Sequence, residues 1–195
     1  MLLNPRFLSG SEIGQSHCGL LSILSFRHDT KIGGFAVSLN YPNFAGIPYS
    51  KRIMPARFYE QGVRSRLKER RRLSAFLDTL MRKHRKGLGQ VRLSYIFCTD
   101  EYLLEINKQF LNHDTFTDII TFDLSETSDT IEGEIYISTE RVAENATVFQ
   151  TSYNRELHRV IFHGALHLCG YRDKKKGEKE EMRRQEEAAL KLYGV

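Results

Sequence analysis

Cysteine is scarce: Cys18, Cys98 and Cys169 are the only three in 195 residues, and no two stand in a CxxC pair. Neither a disulfide framework nor a thiolate zinc site is suggested, and reduced thiols are the default. Long apolar runs are missing too. The most apolar N-terminal stretch, CGLLSILSF (18–26), is too short to span a bilayer. Neither a basic leading segment nor a small-residue cleavage site frames it, so the chain reads as soluble and cytoplasmic. Proline is rare, with four residues, while 41% hydrophobic and 27% charged residues are ordinary for a globular chain. The formal net charge of +5 suits an anionic partner, although solubility alone explains a value this small.

The length allows one domain with a real core and a tail. Residues 1–53 contain GSEIGQSHCG, KIGGF and NYPNFAGIPYS, rich in Gly, Ser, Asn and Pro and without sustained periodicity. They are expected to form an irregular, poorly ordered N-terminal extension, with the domain spanning 54–195. From Met54 the pattern becomes regular. ARFYEQGV (56–63) predicts a short strand. Residues 66–86 place Leu73, Phe76, Leu77, Leu80 and Met81 at helical spacing, opposite a face of arginines and lysines; GLG (87–89) stops this helix. VRLSYIFC (91–98) alternates as a strand, and Thr99 or Asp100 caps a helix over 101–111. TDIITFDL (117–124) and EGEIYIS (132–138) predict a hairpin. Helices follow over 140–149, 154–170 and 178–193. The expected fold is α+β: a small mixed sheet of about four strands, with about five helices lying largely on one side.

His163 and His167 stand four apart on the predicted helix 154–170, which puts their bases about 6 Å apart on one face. A His pair at that spacing is by itself a weak signal. Leu157, Val160, Ile161, Leu166 and Leu168 make the helix largely buried, however, and unpartnered imidazoles there are costly. Gly170 breaks the helix, so Asp173 can return as a third ligand. Two His and a carboxylate leave a position open for water, as catalytic metal sites do. His158 points elsewhere. The position after His163 is Gly164, which disfavours an H-E-x-x-H peptidase.

HGALHLCGYRD (163–173) resembles the H-G-x-L-H-L-x-G-Y-x-H signature of the YbeY family of bacterial metallo-endoribonucleases, matching at His163, Gly164, Leu166, His167, Leu168, Gly170 and Tyr171. LNHDTFTDIITF (111–122) resembles the family's L-N…T-D-V-L-S-F motif. EGEIYIS resembles its G-D-I strand, with Glu134 at the acidic place. The third ligand differs, with Asp173 where the family usually carries His. The loop HDTF (113–116) lacks the arginine that many members carry there. Arg141 and Arg159 are then the nearest candidates by sequence to neutralise a phosphate, and each also reads as a surface charge on a helix.

The resemblance implies an endoribonuclease of single-stranded RNA, acting in ribosomal RNA maturation and ribosome quality control on the small subunit. It implies one divalent ion, zinc foremost, on His163, His167 and Asp173. The catalytic group would be a metal-bound water; Glu134 is a candidate to orient it or is purely structural, and Arg141 is a candidate by its place in the sequence to face the phosphate. Asp118 and Asp123 read as turn or strand-end residues. The basic face of helix 66–86, and Arg172 with Lys174, Lys175 and Lys176, would hold the RNA backbone. Two other readings stay open: a metal-dependent hydrolase of another substrate, and a non-catalytic ribosome-associated factor with a structural metal.

Overall fold

The computed structural model describes residues 54–195 together with one short strand before them, β1 (Ser22–Leu24). The remaining elements run β2 (Ala56–Glu60), α1 (Arg70–His84), β3 (Gln90–Cys98), α2 (Asp100–Leu111), β4 (Ile119–Asp123), β5 (Thr130–Ser138), α3 (Thr139–Val148), α4 (Tyr153–Leu168) and α5 (Lys176–Tyr193). The sheet order is β1-β4-β5-β3-β2. β4 and β5 form the expected hairpin, with Ile120 opposite Tyr136. The other pairings are parallel, so the sheet is mixed and the fold is α+β. The expectation for residues 1–53 otherwise falls outside the described residues.

The sheet has two unlike faces. On one, Leu77 and Met81 of α1, Val142 of α3, Ile161 of α4 and Leu190 of α5 close over Tyr95, Ile135 and Ile137 in one buried cluster. On the other, α2, the only helix there among the described residues, places Leu103 and Ile106 against Ile96, Ile120 and Tyr136. Strand alternation produces this split, because successive side chains of β5 leave on opposite faces. No helix among the described residues is long and apolar enough to cross a membrane.

Two glycines let α4 lie close on the hairpin. A Cβ on Gly133 of β5 would stand 2.5 Å from Leu168 Cδ1. One on Gly164 of α4 would stand 2.9 Å from Ile135 Cγ2. Both distances are below van der Waals contact, so a side chain at either position would force the packing between α4 and the hairpin to shift.

The first helix is shorter than its periodicity predicts. Arg66 and Glu69 have positive φ, which breaks helical propagation before Arg70. Their neighbour Ser65 is buried and donates its hydroxyl to Glu60 at 2.7 Å. The C-terminal stop holds, with Gly87 at φ 79°. Thr99, rather than Asp100, caps α2 by accepting from Tyr102 N at 3.2 Å.

Candidate metal centre

Ser152 starts α4 by accepting from the Arg155 amide, and the helix runs buried through both histidines. Past Leu168 the chain turns at Gly170, whose φ of 96° is open to glycine but strained for other residues. Gly170 N donates to His167 O, and Tyr171 N to Leu166 O. That turn carries the Tyr171 carbonyl and the Asp173 carboxylate back over the end of α4.

His163, His167 and Asp173 each offer one ligand atom, and these atoms lie within 4.8 Å of one another. All three side chains are buried, at 1%, 8% and 6% exposure. The His163 and His167 rings stand edge to face, 4.1 Å between centroids. His163 Nδ1 is 2.5 Å from Glu186 Oε1 on α5, and His167 Nδ1 is 2.8 Å from the Tyr171 carbonyl oxygen. Both partners accept, so each Nδ1 is the donor and each Nε2 is the ring nitrogen left to face a ligand. Neither Nε2 has a hydrogen-bond partner among the described residues, and neither does Asp173 Oδ1.

Three orphaned, buried acceptors that converge are costly unless a cation completes them. The surrounding charge points the same way. Glu156, Glu186, Asp118 and Asp173 are all buried. Arg159 bonds Glu156 at 2.6 Å and Glu186 at 3.4 Å, and it faces Asp118 at 3.7 Å. Lys179 acts on Asp173 from farther off. The negative charge is in excess, and a divalent ion fits the donors and offsets it.

Burial shapes the titration of these groups. Desolvation, and then the neighbouring His163, push His167 down to about 3, against the pull of the Tyr171 carbonyl. His167 is therefore neutral at physiological pH, the form that ligates. Desolvation raises Asp173 and Asp118 above the usual carboxylate range; His163 opposes it at the first and Arg159 at the second. Burial alone would lower Arg159, but its carboxylate partners outweigh that and hold it above its ordinary value.

The family described as Endoribonuclease YbeY matches residues 60–194. The chain belongs to this family. Endoribonuclease YbeY of Cytophaga hutchinsonii is 47% identical over 135 residues, covering 69% of this chain and 93% of the relative. That of Parabacteroides distasonis is 42% identical over 139 residues, covering 71% and 96%. A solution structure from Thermotoga maritima superposes with a TM-score of 0.47 at 30% identity, over 71% of this chain and 91% of the other.

Of the expected site residues, the structure brings His163, His167 and Asp173 together. It does not bring Glu134 to them. Gly133 faces Leu168 of α4, so Glu134, the next residue on β5, leaves on the α2 face, where Tyr136 donates to it at 2.9 Å. Arg141 is held by Asp100 at 2.8 Å and Glu144 at 2.5 Å, between the starts of α2 and α3, rather than against the histidines.

Arg159 does reach the cluster. Asp118 is no simple turn residue, since it accepts from Asn145 at 3.2 Å and faces Arg159. Glu186 was invisible to motif reading because it lies 23 residues after His163. One signal for it was available: an acidic residue on the apolar stripe of α5, between Met182 and Leu190.

The basic surface divides. On α1, Arg70 pairs with Glu60, and Arg72 pairs with Glu69, donates to the Tyr193 carbonyl and covers the Tyr193 ring. Arg172, Lys174, Lys175 and Lys176 are exposed on either side of the buried Asp173.

Proposed function

We propose that this chain is a metal-dependent endoribonuclease of single-stranded RNA, acting in ribosomal RNA maturation on the small subunit in the cytoplasm, with one zinc ion held by His163, His167 and Asp173. The observation that carries the reading is the pair of imidazoles whose Nδ1 protons are fixed by Glu186 and Tyr171, leaving both Nε2 atoms and Asp173 Oδ1 unpartnered. Nitrogen and carboxylate donors of this kind suit zinc. Among the described residues the donors number three, one short of the four that close a structural zinc site, which favours catalysis over a purely structural ion.

When bound, such an ion lowers the pKa of a coordinated water and polarises a phosphoryl oxygen. The protein supplies the rest. Glu186 and the Tyr171 carbonyl hold the imidazoles in the ligating tautomer. The apolar packing of α4 excludes bulk water behind them, and Arg172 with Lys174 to Lys176 offers exposed cations to an RNA backbone beside Asp173.

The test is metal analysis of the purified protein paired with cleavage assays on single-stranded RNA for wild type and His167→Ala. One zinc per wild-type chain is expected, with both metal and cleavage lost in the variant. Undiminished cleavage by His167→Ala would overturn the reading. Cleavage of peptides or small esters in preference to RNA would replace the substrate class.

A further inference from the structure

Two phenylalanines stay exposed around the buried charge cluster, and neither is explained by the core. Phe116 keeps 47% of its surface and Phe149 keeps 48%. Each has a guanidinium against its ring: Arg141 lies 4.7 Å from the Phe116 centroid and Arg159 lies 6.0 Å from that of Phe149. Both guanidinium groups are pinned from behind by carboxylates, Arg141 by Asp100 and Glu144, Arg159 by Glu156 and Glu186.

These rings are placed along one line. Arg141, Asn145 and the α3 C-cap Phe149 are spaced four apart and share one side of α3, spanning about 12 Å along its axis. Midway along that row Asn145 donates to Asp118 Oδ2, and Phe116, two residues before Asp118, sits at the Arg141 end. Asp118 faces Arg159, which bonds Glu186, which in turn holds His163. The two exposed rings therefore stand on either side of the chain of contacts that leads to the His pair.

A lone exposed aromatic is ordinary on a protein surface, but two that each carry a guanidinium on one face, at the two ends of one row of contacts, fit a ligand with flat faces. Nucleobases have such faces, and every base stacks on an aromatic ring whatever its sequence. A cation behind the ring suits this use, because the guanidinium occupies one side and adds cation–π attraction to the stack.

Resting on the endoribonuclease reading, we propose that Phe116 and Phe149 are base-stacking residues that seat nucleotides of single-stranded RNA on either side of the scissile phosphate. The fit is to unpaired bases, since bases inside a duplex cannot present their faces to a side chain. The rings thereby act as a specificity device: they reward strands whose bases are free to splay out, independently of the metal chemistry.

The experiment measures binding of the full chain to a short, nuclease-resistant single-stranded RNA and to an abasic strand of the same length, by fluorescence anisotropy. Phe116→Leu and Phe149→Leu keep apolar bulk but lose the π face, whereas Phe116→Trp and Phe149→Trp keep it. Each Leu variant is expected to bind the RNA about tenfold more weakly, with the Trp variants near wild type. All five proteins should bind the abasic strand alike. Wild-type RNA affinity in both Leu variants would overturn the proposal, and so would an equal loss for both strands. Either result would leave the endoribonuclease reading standing if wild type still prefers the RNA. Wild type that binds neither strand would remove both readings together.

Discussion

Glu186 on α5 accepts the Nδ1 proton of His163 on α4 at 2.5 Å, so α5 holds a candidate ligand carried by α4. Carboxylate–imidazole pairs of this kind orient the ring and raise its basicity toward a metal, and their loss usually costs about 10- to 100-fold in affinity. Glu186→Ala is therefore expected to weaken zinc binding by about that factor, read by competition with a chromogenic chelator. Glu186→Gln should lose less, because the amide oxygen still accepts the proton. An alanine variant with wild-type affinity would show that α5 is only packed against the site.

His167 contributes a pH-dependent term to the stability of the metal-free protein. Its folded-state pKa is depressed from about 6.5 to about 3, so the folded state binds its proton less well than the unfolded state does. The contribution is fully present above about pH 6.5 and is lost as pH falls toward 3. Asp173 and Asp118, both raised, act in the opposite sense, so the comparison must isolate one residue. Urea unfolding of chelator-treated wild type and His167→Ala does this. The wild type should lose stability more steeply on acidification, by roughly 1 kcal/mol per pH unit within that window. Parallel curves would mean that His167 is not held neutral by its surroundings.

Much of this was readable from residue order, and the exceptions have physical causes. Apolar spacing locates α1, α4 and α5, and alternation locates β3 and the β4–β5 hairpin, because each element buries one face and leaves the other polar. His163 and His167 are legible because four residues make just over one helical turn. Asp173 is legible because Gly170 permits the return. What local pattern could not supply was anything joined across the fold. Glu186, Arg159 and Asp118 meet only once α5 and the loop before β4 pack beside α4. The placement of Glu134 shows the limit from the other side. Its motif position looks close to the histidines, but a one-residue step along a strand reverses the face, and the sheet stands between.

The domain boundary yields a third expectation. Both described core clusters are built from residues 56–193, and the candidate ligands all lie within that span. We propose that residues 54–195 form a domain that is stable without the preceding segment. A chain beginning at Met54 loses β1, which among the described strands lies at the sheet edge and pairs with β4. It is expected to unfold cooperatively in urea and to retain its metal stoichiometry. A non-cooperative transition would make the N-terminal segment integral to the fold.

The last expectation concerns which basic surface meets RNA. Cations that neutralise phosphates release counterions, so affinity falls with salt along a slope that grows by about 0.7 per contact on single strands. Arg70 and Arg72 are occupied: the first by Glu60 at 2.5 Å, the second by Glu69 at 2.8 Å and the Tyr193 carbonyl at 2.6 Å. Their charge is partly spent on tying α1 to β2 and to the C-terminus. Arg172 and Lys174 to Lys176 are exposed and flank Asp173 of the candidate metal centre. Replacing these four by Gln should flatten the plot of log affinity against log salt by about two to three units, with zinc content unchanged. Arg70, Arg71 and Arg72 replaced together by Gln should leave the slope within about one unit of wild type, while lowering the melting temperature through the lost Glu60 and Tyr193 contacts. A larger slope change from the α1 variant than from the 172–176 variant would reverse the assignment and put the RNA path along α1.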